Sequence, residues 1–305
     1  VPVWLLAYAG LAVVGLALVG VLATPARDRP RSDLVEALEP AAGPLRWVGL
    51  AAWVLLVGLA RLGPDSAAGN VVPVAVLVLV WIGIPFAALV LGDVMARVGP
   101  FDPLVQLLER RRRVSAPVAP RPAGPSWTGA VCLFVFAWYL LAYHRPGSPR
   151  ALSLLLVVYG LVAVAGGLRW GRAWLRTGEG FGALSAALAG IRRRDGALHR
   201  GAPAVAVVWL GATTFDALGN TDLWLDLLGA AVGWERTAVN TVGLMWVTAS
   251  IAAVVLAARR LAARATGVDS GALDRALTAA TVAVAAGWFV TNNLTLAAFE
   301  GQNLL

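Results

Sequence analysis

"VVPVAVLVLVWIGIPFAALVLG", residues 71–92, contains no charged, hydroxyl or amide side chain. A bilayer core about 30 Å thick takes about 20 helical residues to cross, and this run is long enough with apolar side chains on every face. A helix that is hydrophobic all round belongs in the centre of a large core or in a membrane. The composition decides between them. Of 305 residues, 59% are hydrophobic and 14% charged, with a mean hydropathy of +0.75, whereas a soluble domain carries about 25% charged residues. The stretch therefore reads as a membrane span over roughly 71–96, tilted or kinked near Pro85, whose ring removes a helical donor.

Working outward, seven further segments have the same character: roughly 3–23, 46–62, 127–143, 151–168, 203–219, 238–257 and 276–299. The fold class is all-α, a polytopic transmembrane bundle of about eight spans in one integral membrane domain, residues 1–305. All 25 basic residues are arginine, as a GC-rich genome favours. Counted between successive spans, with Arg46 and Arg61 at the ends of the second span assigned to the loops they adjoin, they run 4, 1, 6, 2, 7, 1 and 4, with none after the last. This alternation is the positive-inside pattern. It places the arginine-rich loops in the cytoplasm and both ends outside, in a bacterial plasma membrane. The net charge of +8 then meets anionic lipid at the cytoplasmic face, not nucleic acid. The single Cys132 excludes an intrachain disulfide and a cysteine metal site. A start at Val1 and a stop at Leu305, just after a span, suggest a fragment lacking both ends.

Two cytoplasmic segments read as interfacial helices anchored at the headgroups. In "FDPLVQLLERRRR" a helix over about 102–113 has Asp102 as its N-cap and Pro103 at its first position, with Leu104, Leu107 and Leu108 on one face. In "RWGRAWLRTGEGFGALSAALAGIRRR" a helix over about 180–194 carries the stripe Phe181, Leu184, Leu188 and Ile191, after Trp170 and Trp174 at belt depth. "GPFD" and "RTGEGF" have a second reading, as contact motifs at the inner face.

The polar residues inside the spans gather late in the chain. In "WLGATTFDALGNTDLW", residues 209–224, Ala212, Asp216 and Asn220 fall four apart on one helical stripe. Asn240 opens a stripe on the seventh span, and Thr291, Asn292, Asn293 and Thr295 lie in the outer half of the eighth. An ionised aspartate at mid-span costs about 2.5–3.5 kcal/mol, so Asp216 should face the bundle interior. It has two readings. It is the key acid of an outward-facing polar pocket between spans six, seven and eight, with Asn220, Asn240, Asn292, Asn293 and Thr295 binding a ligand. Or it is structural, capping the break after "FDALGNTD" or bonding Asn292 across an interface.

His144 in "AYHRPGS" and Glu300 in "FEGQN" end spans at the same face and are candidate catalytic helpers. Asp93 lies four before Arg97, the spacing of an ion pair, and His199 sits in an arginine-rich loop as a solvated side chain. There are no facing histidine pairs and no HExxH, GxSxG or phosphate-loop motif. No metal and no cofactor is expected.

"LVWIGIPFAALVLGDVMARVGPFDP", "WLRTGEGF", "TTFDALGNTDLW" and "FEGQN" resemble, in that order, a family of actinobacterial polytopic membrane proteins labelled fenitrothion hydrolase or fenitrothion hydrolase-like. Gly92, Asp93, Gly178, Glu179, Phe181, Phe215, Asp216, Gly301 and Gln302 match its recurring positions. The resemblance implies phosphotriester cleavage, missing terminal segments and a membrane location. The sequence departs from the family where two histidines three apart precede "QGQ"; here stand Phe289 and Asn292, so metal or proton chemistry carried by those histidines would be lost.

Three functions follow. The first is a membrane protein handling a small molecule or protons at Asp216. The second is a membrane hydrolase of phosphotriester-like substrates, with Asp216 as general base. The third is a non-catalytic subunit of a membrane complex or a homo-oligomer.

Overall fold

A computed structural model describes residues 42–113, 124–191, 198–266 and 270–302. The expected first span, 3–23, lies outside them. The described residues are overwhelmingly helical, and among them there is no strand. That is what lipid demands, because a helix satisfies its backbone donors within its own segment.

The helices in chain order are α1 (Ala42–Leu62), α2 (Val72–Leu91), α3 (Met95–Val98), α4 (Asp102–Arg113), α5 (Thr128–Leu141) and α6 (Pro149–Trp170). They continue with α7 (Trp174–Thr177), α8 (Gly180–Ile191), α9 (Ala202–Gly219), α10 (Asp222–Leu228), α11 (Gly233–Thr266) and α12 (Ser270–Gln302). Six of these, α1, α2, α6, α9, α11 and α12, are long and apolar enough to cross a membrane. They answer to the expected spans two, three and five to eight. The expected fourth span is α5, 14 residues long, or about 21 Å at ~1.5 Å per residue, shorter than a bilayer core. Val54, Leu55, Leu79, Leu154, Leu161, Met245 and Val254 are exposed on the long helices, which is the surface that lipid would cover. The chain is a multi-pass membrane protein.

The deciding stretch is helical throughout but not regular. Pro85 offers no N–H to the carbonyl of Trp81, and the turns just before it open to π-helical register over Val76–Gly83. The helix stops at Gly92, whose φ of +82° is one that side chains resist. That turn releases the chain towards Asp93 and α3.

One expected element lies elsewhere. The helix placed at the headgroups over 180–194 is α8, and it is buried inside the bundle. Phe181, Leu184 and Leu188 are buried, but so are Gly182, Ala183, Ser185, Ala187 and Gly190 on its remaining faces. It packs against α2, α5, α9 and α12. The physical reason is size. Glycine, alanine and serine look like a weak polar face in a periodicity count, yet they are the residues that let helices approach closely. By contrast α4 lies along α1 and α6 with Val105 buried and Leu107 and Leu108 exposed. At the centre, Phe136 of α5 meets Phe181 of α8 edge-on at 4.8 Å, and Trp209 of α9 packs on Phe289 of α12 at 4.7 Å. Helix α9 lies directly against α11 and α12, so the three helices that carry the late polar residues are neighbours.

Candidate functional site

Asp216 stands one turn after Ala212 on α9, partly buried. Its Oδ2 accepts from Asn292 Nδ2 of α12 at 3.4 Å, a long and therefore weak bond. The other expected ligand residues are engaged elsewhere. Asn220 is exposed, and its amide donates to the backbone carbonyl of Asp216 at 2.8 Å, closing the end of α9. Asn240 is buried and accepts from the indole of Trp224 at 3.0 Å, while Trp224 meets Phe215 edge-on at 5.2 Å. Asn293 is buried and donates to the carbonyl of Phe289 at 3.1 Å. Thr295 and Glu300 fall on α12, but their side chains lie outside the described residues.

His144 does not join Asp216 by any hydrogen bond among the described residues. Its Nδ1 is 2.9 Å from Thr237 Oγ1 at the start of α11, and the same oxygen accepts its backbone N–H at 3.0 Å. The ring rests against Tyr143 and Trp234 at 4.6 and 5.0 Å. It tethers the segment after α5 to α11.

The expected pocket between these spans was polar. The cavity that α9, α11 and α12 do bound, about 410 Å³, is apolar, with Leu210, Ile251 and Val284 on its walls and Ser250 and Thr281 as its polar side chains. Leu210 precedes Asp216 on α9 by about 9 Å at ~1.5 Å per residue. Among the described residues no three His, Cys, Asp or Glu side chains cluster at metal-binding spacing.

The other end of the bundle holds a denser set of charges, and there the motifs "GD", "GPFD" and "RTGEGF" converge. Asp93 accepts from Arg176 through Nε at 2.9 Å and Nη2 at 2.5 Å, and from Ser185 of α8 at 3.2 Å. Its expected partner Arg97 instead reaches the backbone carbonyl of Asp93, at 3.1 Å. Asp102, at the start of α4, takes both Nε and Nη2 of Arg172 at 2.6 Å and Nη1 of Arg46 at 2.9 Å. Bidentate arginine–carboxylate pairs are the strong kind, and the bond to Asp102 holds the Arg172 guanidinium above its ordinary pKa. Arg46 also spans to the carbonyl of Ala96 with Nε at 3.1 Å and Nη2 at 2.7 Å, tying α1 to α3.

Behind them Glu179 is 2% exposed. It accepts from Tyr159 Oη, from Phe181 N at 3.0 Å and from Gly182 N at 2.6 Å, covering the free amides that begin α8. Burial pushes its carboxyl above the usual carboxylate range, against the pull of those three bonds. His199 is not simply solvated: its Nε2 lies 2.9 Å from the carbonyl of Ala183, and burial lowers its pKa. In the sequence Asp93 and Glu179 stand out as positions of the family resemblance, and "GPFD" and "RTGEGF" as contact motifs; none of these acids or arginines reads there as a site residue. The signal is an acid within three residues of a glycine, in a polar break between apolar runs. The partners could not be read, because Asp93 and Arg176 are 83 residues apart and Asp102 and Arg172 are 70 apart.

Comparison with family models, with curated proteins and with solved structures gives no match to this chain.

Proposed function

We propose that the chain handles a small molecule or a proton at Asp216 in a bacterial plasma membrane, with its arginine-rich loops in the cytoplasm and the Asp216 end outside. The observation that carries this reading is a difference between carboxylates. Asp93 and Asp102 are each matched by arginine. Asp216 is held at a helix interface by a neutral amide, and among the described residues no cation pairs with it. A carboxyl of that kind can take up a proton or a ligand's donor without breaking an ion pair. Acids within membrane segments mark such pathways by default. The weak Asn292 bond is easily exchanged, and the apolar cavity on the same helices suits the body of a small apolar molecule.

Placement with the fenitrothion hydrolase-like family is part of the same proposal and rests on the order of the motifs. The hydrolase alternative gains no paired base, since His144 is held by Thr237 and Trp234. The subunit alternative asks for the small-residue faces of spans seven and eight to be free for a partner, yet Gly243 of α11 is closed off by Trp224 and Phe215.

The test is proton and solute flux in proteoliposomes, comparing wild type with Asp216→Asn, a variant that keeps the Asn292 contact. Flux should fall to that of empty liposomes while the folded protein is retained. Unchanged flux would sink the proposal. Release of nitrophenolate from a nitrophenyl phosphotriester that depended on Asp216 would instead favour the hydrolase.

A further inference from the structure

The Arg46–Asp102–Arg172 group forms the wall between two hollows. One is an open cleft of about 620 Å³ bounded by Gly43, Arg46, Trp47, Asp102, Gln106 and Arg172. The other, about 300 Å³, shares Arg46, Asp102 and Arg172 and continues towards Arg176. The cleft is unbalanced in charge, with two guanidiniums to one carboxylate. Both oxygens of Asp102 are already taken by those arginines. Among the described residues Arg172 Nη1 makes no hydrogen bond, and Arg46 uses only one donor of Nη1. Of the other acids nearby, Asp93 is matched by Arg176, Glu179 in the wall of the smaller hollow is engaged by Tyr159 and the amides of Phe181 and Gly182, and Glu109 acts on Arg172 from α4. Asp102 thus fixes the two guanidinium planes without neutralising them.

We propose that this cleft binds a phosphate group, either free or as the headgroup of an anionic phospholipid. Guanidinium forks suit phosphate because they offer several fixed donors to one oxyanion. The Gln106 amide lines the same cleft and can add another. The volume exceeds what a bare phosphate needs and leaves room for its ester. Trp47, 50% exposed at the cleft edge, is the residue type that sits at headgroup level in membranes. The site lies at the end of the bundle opposite Asp216 and stands or falls independently of the flux proposal.

The full chain in a neutral detergent is titrated calorimetrically with inorganic phosphate, with short-chain phosphatidylglycerol, and with short-chain diacylglycerol as the phosphate-free lipid. Arg172→Gln would remove a donor but also unties Asp102, so the discriminating variant is Gly43→Asp. A Cβ at Gly43 meets nothing within 4 Å, and an acid in the first turn of a helix is favourable to that helix. The added charge should weaken phosphate-bearing probes at least about tenfold, whereas Gly43→Asn, of the same size but uncharged, should weaken them several-fold less. Binding of both phosphate and phosphatidylglycerol supports a phosphate site open to the free anion. Binding of phosphatidylglycerol alone, with diacylglycerol inert, supports a lipid headgroup site. Binding of neither probe, equal binding of diacylglycerol, or a Gly43→Asp variant that binds like wild type overturns the proposal.

Discussion

Replacing Glu179 by alanine should destabilise the fold by about 3 kcal/mol. The side chain is 2% exposed and receives three donors, the Tyr159 hydroxyl and the amides of Phe181 and Gly182. A neutral buried hydrogen bond contributes about 0.5–1.5 kcal/mol net, and one to a charged group about 1.5–3 kcal/mol. Taking the lower, neutral range as the floor, three bonds at ~1 kcal/mol each give the total. Glu179→Gln separates hydrogen bonding from bulk. Its carbonyl can still accept from Tyr159 and Phe181, while its amide turns a donor against the Gly182 N–H, which sits 2.6 Å from Oε2 in the native chain. About 1–2 kcal/mol should be lost. The pH dependence has a definite sign. A folded carboxyl raised above its ordinary 4.5 binds protons more readily than the unfolded one. Stability is therefore greatest below 4.5 and declines as pH rises through the folded value, and the glutamine variant lacks that decline. Circular dichroism during thermal unfolding in detergent reads all three proteins. An alanine variant within about 0.5 kcal/mol of wild type, the range of an unremarkable surface change, would refute the reasoning. So would a glutamine variant as damaged as alanine.

The packing between α9 and α11 makes its own prediction. A Cβ at Gly211 would fall 2.5 Å from Thr248 Oγ1 and 2.9 Å from Thr248 Cα, so Gly211→Ala should lose about 1–3 kcal/mol by overpacking. At Gly58 on α1 nothing lies within 4 Å, and Gly58→Ala should be neutral or stabilising by up to about 1 kcal/mol; equal thermal shifts for the two would contradict this. His199 predicts an acid sensitivity. Burial lowers its folded pKa below 6.5, so the unfolded chain binds the proton first, and stability contributed by the neutral ring is lost as pH falls below 6.5. Unfolding midpoints that His199→Asn leaves with the same acid slope would count against that role.

The membrane architecture was legible because residues 71–92 leave no polar face for water, and because charge is confined to the gaps between such runs. Asp216 and Asn292 were legible as partners for a related reason. Both lie in regular helices, where a stripe at every fourth residue and a common depth are fixed by geometry. The burial of α8 was not, since alanine and glycine carry almost no apolar signal although they decide how closely helices meet. The ion pairs failed for a more instructive cause. The spacing of Asp93 and Arg97 invites the four-residue helical rule, which holds only when both residues sit within one helix. Asp93 precedes α3, and its Oδ1 accepts the amide of Ala96 at 3.2 Å, the posture of a capping residue. That posture turns the carboxylate over the end of α3 and away from Arg97's side chain, leaving its other oxygen to Arg176. Glycine at position 92, free to adopt a φ of +82°, sets the turn that makes this possible. Which acid meets an arginine and which meets an amide is thus decided by how helix ends are aimed, and the contrast between Asp93 and Asp216 follows from where each stands relative to its helix rather than from its neighbours in sequence.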